Sequence, residues 1–132
     1  MDIVQTAAQW AKEYESAWSA MDLDRMGQRY AADCLGQNPF QEVVHGRAAR
    51  VANLAGIFPH IARYDVRFGT PYTRGHSSAV EYWVTSYGLD GSELTLAGVS
   101  LQEHTADGSA TNVRDYLLLQ PGIHTPPVTW YK

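Results

Sequence analysis

The sequence predicts an α+β fold, a cone-shaped barrel in which three N-terminal helices pack on a strongly curved, mostly antiparallel sheet. Three observations predict it. Apolar residues recur at helical spacing as far as about His60 and at a spacing of two thereafter. Two Asp-Gly pairs, Asp90-Gly91 and Asp107-Gly108, fall between the long period-two runs, where hairpin turns belong. The resulting meander is too long for three helices to cover evenly on both faces, so it must wrap round the long first helix and leave a cone with one open mouth.

The elements follow in order. Residues 2–21 read as an amphipathic helix capped by Asp2. Ile3, Ala7, Trp10, Tyr14, Trp18 and Met21 form its apolar stripe, and Gln5, Gln9, Lys12, Glu13 and Glu15 its polar face. Trp10, Tyr14 and Trp18 are core residues on this reading, with a second role open to Tyr14 as a hydroxyl turned into a cavity. Asp22 caps a second helix to about Ala32, with Met26 and Tyr30 as its buried positions. Residues 35–38 are a short strand ended by Pro39, and 40–44 a loop. His45-Gly46-Arg47 opens a third helix, 48 to about 60, whose apolar face is Val51, Leu54, Ala55 and Phe58. Residues 63–72 then form a strand with Tyr64, Val66 and Phe68 on one face, and 78–87, 93–103 and 112–119 supply three more. Gly98 marks a bulge or bend in the third of these. The tail, with Pro126-Pro127 and Trp130-Tyr131, is an extended flap for the body or a partner subunit.

A chain of 132 residues is one domain, long enough to bury roughly two-thirds of its unfolded surface round a single core. The net charge of −4, with no Lys/Arg stripe, argues against nucleic acid and anionic membranes as partners. The lone Cys34 excludes an internal disulfide and fits a reducing compartment. With no charged-then-apolar leader and no run of membrane-spanning length, a cytoplasmic location is expected. Four Trp and eight Tyr suit a pocket of polar-tipped aromatics, and equally an ordinary core. The five histidines show no H-x-x-x-H or H-E-x-x-H spacing, so no metal is expected. His45 reads as a helix-entry residue, and His104 as either solvated or reaching the mouth. No G-x-S-x-G, G-x-G-x-x-G or P-loop pattern occurs, so no cofactor is expected.

One strand carries the chemistry. In N-V-R-D-Y-L-L-L, residues 112–119, alternation puts Val113, Asp115, Leu117 and Leu119 on one face and Arg114, Tyr116 and Leu118 on the other. A carboxylate on an otherwise apolar face must be paired, hydrogen-bonded or neutral. Asp115 is therefore either a structural ion-pair partner or an acid–base group inside the cone.

Taken together these motifs resemble the nuclear-transport-factor-two-like superfamily, and within it the SnoaL-like polyketide cyclases and limonene epoxide hydrolases, over about residues 8–120. The resemblance is carried by the aromatic first helix, D-C-x-x-Q-N-P at 33–39, H-G-R at 45–47, A-V-E-Y-W at 79–83, L-A-G-V-S-L at 96–101 and V-R-D-Y at 113–116. It implies a single SnoaL-like domain of cystatin-like topology spanning 1–132, with 121–132 as its tail. It also implies that Asp115 is the acid–base carboxylate, Glu81 its acidic partner, and Asn38 a residue that positions water. The epoxide-hydrolase arginine that joins the two carboxylates falls on Ala79, and the accompanying tyrosine on Gly36. These departures favour a cofactor-free cyclase, isomerase or dehydratase over an epoxide hydrolase. A ligand-binding or dimerisation module is the non-catalytic alternative, and for it Trp18, Trp83 and Phe40 fill the cavity. Glu81 also has plainer readings, as an exposed strand residue or a partner of Arg63 or Arg114. The expected pocket is lined by Tyr14, Trp18, Tyr30, Phe40, Trp83, Val99, Leu101, Val113 and Leu117. Its ligand is a small hydrophobic molecule: a polyketide, terpenoid or steroid-like ring. The outer sheet face with Arg114, Tyr116 and Leu118 is the expected homodimer surface.

Overall fold

Asp2 starts the first helix by accepting from the Val4 and Gln5 N–H groups, so α1 runs Ile3–Ser19 and buries Ala7, Trp10, Ala11, Tyr14 and Ala17. The protein is described by a computed structural model over residues 1–130. Asp22 caps α2 (Leu23–Gly27), which is far shorter than the Met26–Tyr30 spacing predicts. Gly27 is pressed against the third helix, where a Cβ would lie 2.9 Å from Val51 Cγ2. Tyr30 already opens a strand, β1 (Tyr30–Gln37), twice as long as the one expected at 35–38. After β2 (Val44–His45), Gly46 takes a φ of 89° and its N–H reaches the Cys34 carbonyl at 2.7 Å, turning the chain into α3 (Arg47–Ile57). A single 3-10 turn, Phe58–His60, completes it.

The expected strand 63–72 is in fact two: β3 (Ile61–Phe68) and a short β4 (Tyr72–Arg74) beside the next strand. β5 (Ser77–Gly88), β6 (Glu93–His104) and β7 (Ala110–Pro121) then form the meander, turning at Gly91 and Gly108, both of positive φ. The strand order is β2-β1-β7-β6-β5-β3, antiparallel except where β1 runs parallel to β7. The sheet is curved and unclosed, with the three helices packed on it.

Register fixes which side chains share the inner face. Ser100 lies opposite both Val80 and Asp115, and Gly98 opposite both Tyr82 and Leu117. Glu81, Val99 and Tyr116 form the next row, and by alternation that row faces outward. The pairing runs without a shift through Gly98, so no bulge occurs there, and the ladder is instead irregular at Glu103/His104. Gly98 serves close approach: a Cβ would sit 2.5 Å from the Tyr116 carbonyl oxygen. The tail folds back on the body. Trp83 Nε1 donates to the His124 carbonyl at 2.7 Å, and Trp130 is buried. Tyr131 lies outside the described residues.

Candidate active site

The inner sheet face and the helices enclose a cavity of about 250 Å³, bounded by α1 (Trp10, Tyr14, Trp18), β1 (Tyr30), α3 (Arg50, Leu54, Ile57) and the sheet (Tyr64, Phe68, Tyr82, Leu96, Ser100, Asp115, Leu117, Leu119), with Asn38 at its rim. Its wall is mostly aromatic. Trp10 and Tyr14 stack at 4.8 Å, and Phe68 stacks on Tyr82 at 5.6 Å.

Asp115 is the carboxylate in this wall, 9 % exposed. Burial raises its pKa, and Arg50 and a hydrogen bond from Ser100 oppose that rise. Arg50 Nη2 stands 3.5 Å from Asp115 Oδ2 and 3.5 Å from the Tyr30 hydroxyl. Both contacts are long, and Arg50 Nε is buried with no hydrogen-bond partner among the described residues. The guanidinium thus keeps donor capacity beyond what its neighbours use. The Tyr30 hydroxyl donates to the Tyr14 hydroxyl at 2.8 Å. Burial, the largest influence, holds the Tyr30 phenol well above its ordinary pKa and raises that of Tyr82 as well, so both stay protonated donors.

Local sequence explains why Arg50 arrives here. Arg47, the arginine of the H-G-R motif, donates from Nε and Nη2 to the Tyr30 carbonyl at 2.9 and 2.7 Å. That fork ties the start of α3 to the start of β1. Arg50, one helical turn later, then falls on the Leu54–Phe58 stripe that faces the cavity. On β1 the same anchoring brings the Tyr30 ring to 5.5 Å from the Arg50 guanidinium carbon.

The structure brings together Asp115, Asn38, Tyr14, Trp18, Tyr30 and Leu117 from the expected site. It does not bring in Glu81, which lies on the outer sheet face because its neighbours Val80 and Tyr82 take the inner one. Trp83, Val99 and Leu101 are on that outer face for the same reason. Phe40 is fully exposed in the loop after β1, and Val113 is buried in the core without bordering the cavity. Asn38 donates to Gln41 Oε1 at 3.1 Å. Arg50, Tyr82 and Ser100 are site residues that the sequence reading does not single out. The readable signal for Arg50 is a cation at i−4 and i−8 from two apolar residues of the helix expected over 48 to about 60, Leu54 and Phe58.

Proteins of known family and shape resemble this chain. A family model described as SnoaL-like domain matches residues 11–113. No curated protein matches the chain by sequence. Among solved structures, the epoxide hydrolase/cyclase-like enzyme SalBIII of pyran ring formation in the polyether salinomycin has a TM-score of 0.77 at 17% identity, over 89% of this chain and 95% of that one. An LEH-like epoxide hydrolase of M. tuberculosis gives 0.73 at 16% identity, over 87% of this chain and 84% of that one. A hypothetical protein with ketosteroid isomerase-like fold from Catenulispora acidiphila DSM 44928, in complex with trimethylamine, gives 0.71 at 17% identity, over 82% and 84%. At these identities the likeness is one of fold.

Proposed function

Because the chain belongs to the SnoaL-like domain family, we propose that its cavity is the active site of a cofactor-independent acid–base enzyme of cyclase, isomerase or dehydratase type. The observation that carries this is Asp115: one carboxylate in an apolar cavity, with a cation 3.5 Å away and phenolic hydroxyls in the same wall. A buried carboxylate with a raised pKa is a stronger base than a solvated one and suits removal of a proton next to a carbonyl. The C–H bond breaks, the proton goes to Asp115, and the electron pair moves onto the carbonyl oxygen. Arg50 supplies positive charge for that oxygen, and the Tyr14 hydroxyl, already accepting from Tyr30, supplies a hydrogen bond. Asp115 then returns the proton to a different atom; in the cyclisation branch the enolate carbon instead attacks a second carbonyl of the same molecule, and the alkoxide so formed takes the proton back from Asp115. Aromatic walls and a volume of about 250 Å³ suit a small, flat, mostly apolar ketone or polyketone.

The test is deuterium exchange at the activated C–H of cyclic ketones and diketones, followed by NMR. Asp115→Asn abolishes enzyme-dependent exchange with the fold intact. Exchange that persists in that variant sinks the proposal.

Asn38 at the cavity rim favours a second reading, an epoxide hydrolase in which Asp115 activates a water that Asn38 orients. No second carboxylate borders the cavity among the described residues, so ring opening would draw its proton from a phenol. Of the three side chains expected to fill the cavity of a purely structural module, Phe40 and Trp83 lie outside it and only Trp18 is in its wall, which counts against that module. The outer face, with Tyr116 and Leu118 exposed, is the surface through which we expect two copies to pair.

A further inference from the structure

A hydrogen-bonded line of polar side chains runs along the inner sheet face away from the cavity, and the acid–base reading makes no use of it. It starts at Asp115, whose direct partner across β6 and β7 on the inner face is Ser100, the hydroxyl that tempers the rise in its pKa. Gln102 Nε2 lies 3.0 Å from Ser100 Oγ, and Gln102 Oε1 lies 3.3 Å from Ser78 Oγ. Ser78 Oγ is 2.8 Å from His104 Nε2, and His104 Nδ1 is 3.2 Å from the Gly108 carbonyl oxygen. None of the five side-chain owners is more than 9 % exposed. So many buried polar groups on one face are tolerable only when each is bonded.

The proton count along the line is restrictive. The Gly108 carbonyl only accepts, so Nδ1 keeps its proton. With Nε2 also protonated, His104 donates to Ser78, Ser78 to the Gln102 oxygen, the Gln102 amide to Ser100, and Ser100 to an ionised Asp115. With His104 neutral, every bond reverses. Ser78 donates to Nε2, the Gln102 amide turns over to donate to Ser78, Ser100 donates to the Gln102 oxygen, and a protonated Asp115 donates to Ser100. Either of the two mixed charge states leaves one buried donor or acceptor unmatched, a cost that excludes neither but disfavours both.

We propose that Ser100, Gln102, Ser78 and His104 are positioning residues that couple Asp115 to His104, an ionised carboxylate at one end going with a protonated imidazole at the other. The inference rests on the acid–base reading for its meaning: the line sets how readily Asp115 holds a substrate proton. The surroundings leave room for this coupling to be read. His104 meets the Trp10 ring of α1 at 6.3 Å, Ser78 of β5, Ala110 of β7 and the Gly108 carbonyl. The nearby Asp107 is engaged by Thr105 and Ser109, and the His76 carbonyl accepts from the His104 main-chain N–H. Burial lowers the pKa of the ring, with no charged neighbour contributing. Asp115 is faced by Arg50 of α3, its charge acts on Tyr30 of β1 and Tyr82 of β5, and Tyr14 of α1 lines the same cavity.

The test needs no substrate. The His104 imidazole is titrated by ¹H–¹⁵N NMR in the native protein, in Asp115→Asn, in Gln102→Leu and in the double variant. Because Arg50 only donates, it holds the oxygen of an asparagine at 115, which leaves the amide N–H for Ser100 and favours the neutral order of bonds. We expect Asp115→Asn to lower the His104 pKa by about one unit in the native background, and by less than about a third of that in the Gln102→Leu background. Burial added by the new leucine side chain cancels in this cycle, and any remaining drop is the through-space charge effect. Equal drops in both backgrounds overturn the proposal. If Gln102→Leu does not fold, Ser78→Ala breaks the same line and gives the same comparison. Ser100→Thr, which keeps the hydroxyl, is expected to retain the coupling, and its loss there also counts against the line. Catalysis is read separately by deuterium exchange, so either idea can fail while the other stands.

Discussion

Replacing Arg50 by methionine removes the cation and keeps most of the side-chain stem. Two unit charges 3.5 Å apart in an effective dielectric of about 20 attract by about 4.7 kcal/mol. The net loss is smaller, because the pair makes one long contact and the arginine side chain is still 23% exposed. About 2–3 kcal/mol is expected at pH 8. The sign with pH follows from Asp115. Burial, the larger influence, raises its pKa and Arg50 opposes this, so removing Arg50 raises it further. A folded-state pKa above the unfolded one means the native state binds the extra proton. That part of the instability is therefore fully present above the folded pKa and disappears as pH falls through it. Urea unfolding of native and Arg50→Met protein at a series of pH values, with the Asp115 carboxyl followed by ¹³C NMR, measures both quantities. A penalty that stays constant down to acid pH, or an Asp115 titration that does not move upward, refutes the idea that Arg50 is what keeps this carboxylate ionised.

Four further outcomes follow from the same geometry. Glu81→Gln leaves deuterium exchange within a factor of about two of native, because the side chain is on the outer face; a loss of about tenfold under the same conditions contradicts its exclusion from the site. Gly98→Ala lowers stability by about 2–3 kcal/mol in urea unfolding, because the new Cβ meets main-chain atoms that cannot yield. Tyr30→Phe, which removes the hydroxyl between Arg50 and Tyr14, costs about 1–1.5 kcal/mol in thermal unfolding and weakens exchange without abolishing it. Leu118→Glu, on the exposed outer face, yields a monomer in sedimentation velocity where the native chain is expected to sediment as a dimer.

The strands are legible because their period is strict. Alternation in residues 112–119 puts Asp115 on the face that the structure packs against the helices, and two D-G pairs locate the hairpins. Where sequence and structure part, a neighbour outside the local window decides. Met26 and Tyr30 stand four apart, as on a helix, but Gly27 is a contact with α3, and Tyr30 belongs to a strand paired with the distant Ala110. Likeness of motif puts Glu81 on the right strand and the wrong face. Its own neighbours carry the correction: Val80, Tyr82 and Val84 are buried, so Glu81 and Trp83 must turn outward. Trp83 misleads because it is a large aromatic residue, and it can face outward because the tail returns to cover it.

Arg50 shows where the missing partner of a buried acid can be sought. An apolar face interrupted by one carboxylate raises the question of where its counter-charge comes from. The answer need not lie on a neighbouring strand. Along α3 and the 3-10 turn that completes it, the stripe Arg50, Leu54, Phe58 repeats every four residues, and it too is apolar except for one charge. Two faces that must bury against each other, each broken by a single charge of opposite sign, specify a pairing that neither element specifies alone. Hydrophobic matching brings α3 onto the sheet, and the opposite charges then fix its register along the face. A helix shifted by one residue would leave Asp115 uncompensated and Arg50 among aromatics. In the folded chain the cost of burying this pair is therefore a term in the specificity of the fold as well as the basis of the proposed chemistry. That makes Arg50→Met and Asp115→Asn a matched pair: the double variant should recover stability relative to Arg50→Met alone, because the uncompensated buried carboxylate is gone, while exchange activity stays absent.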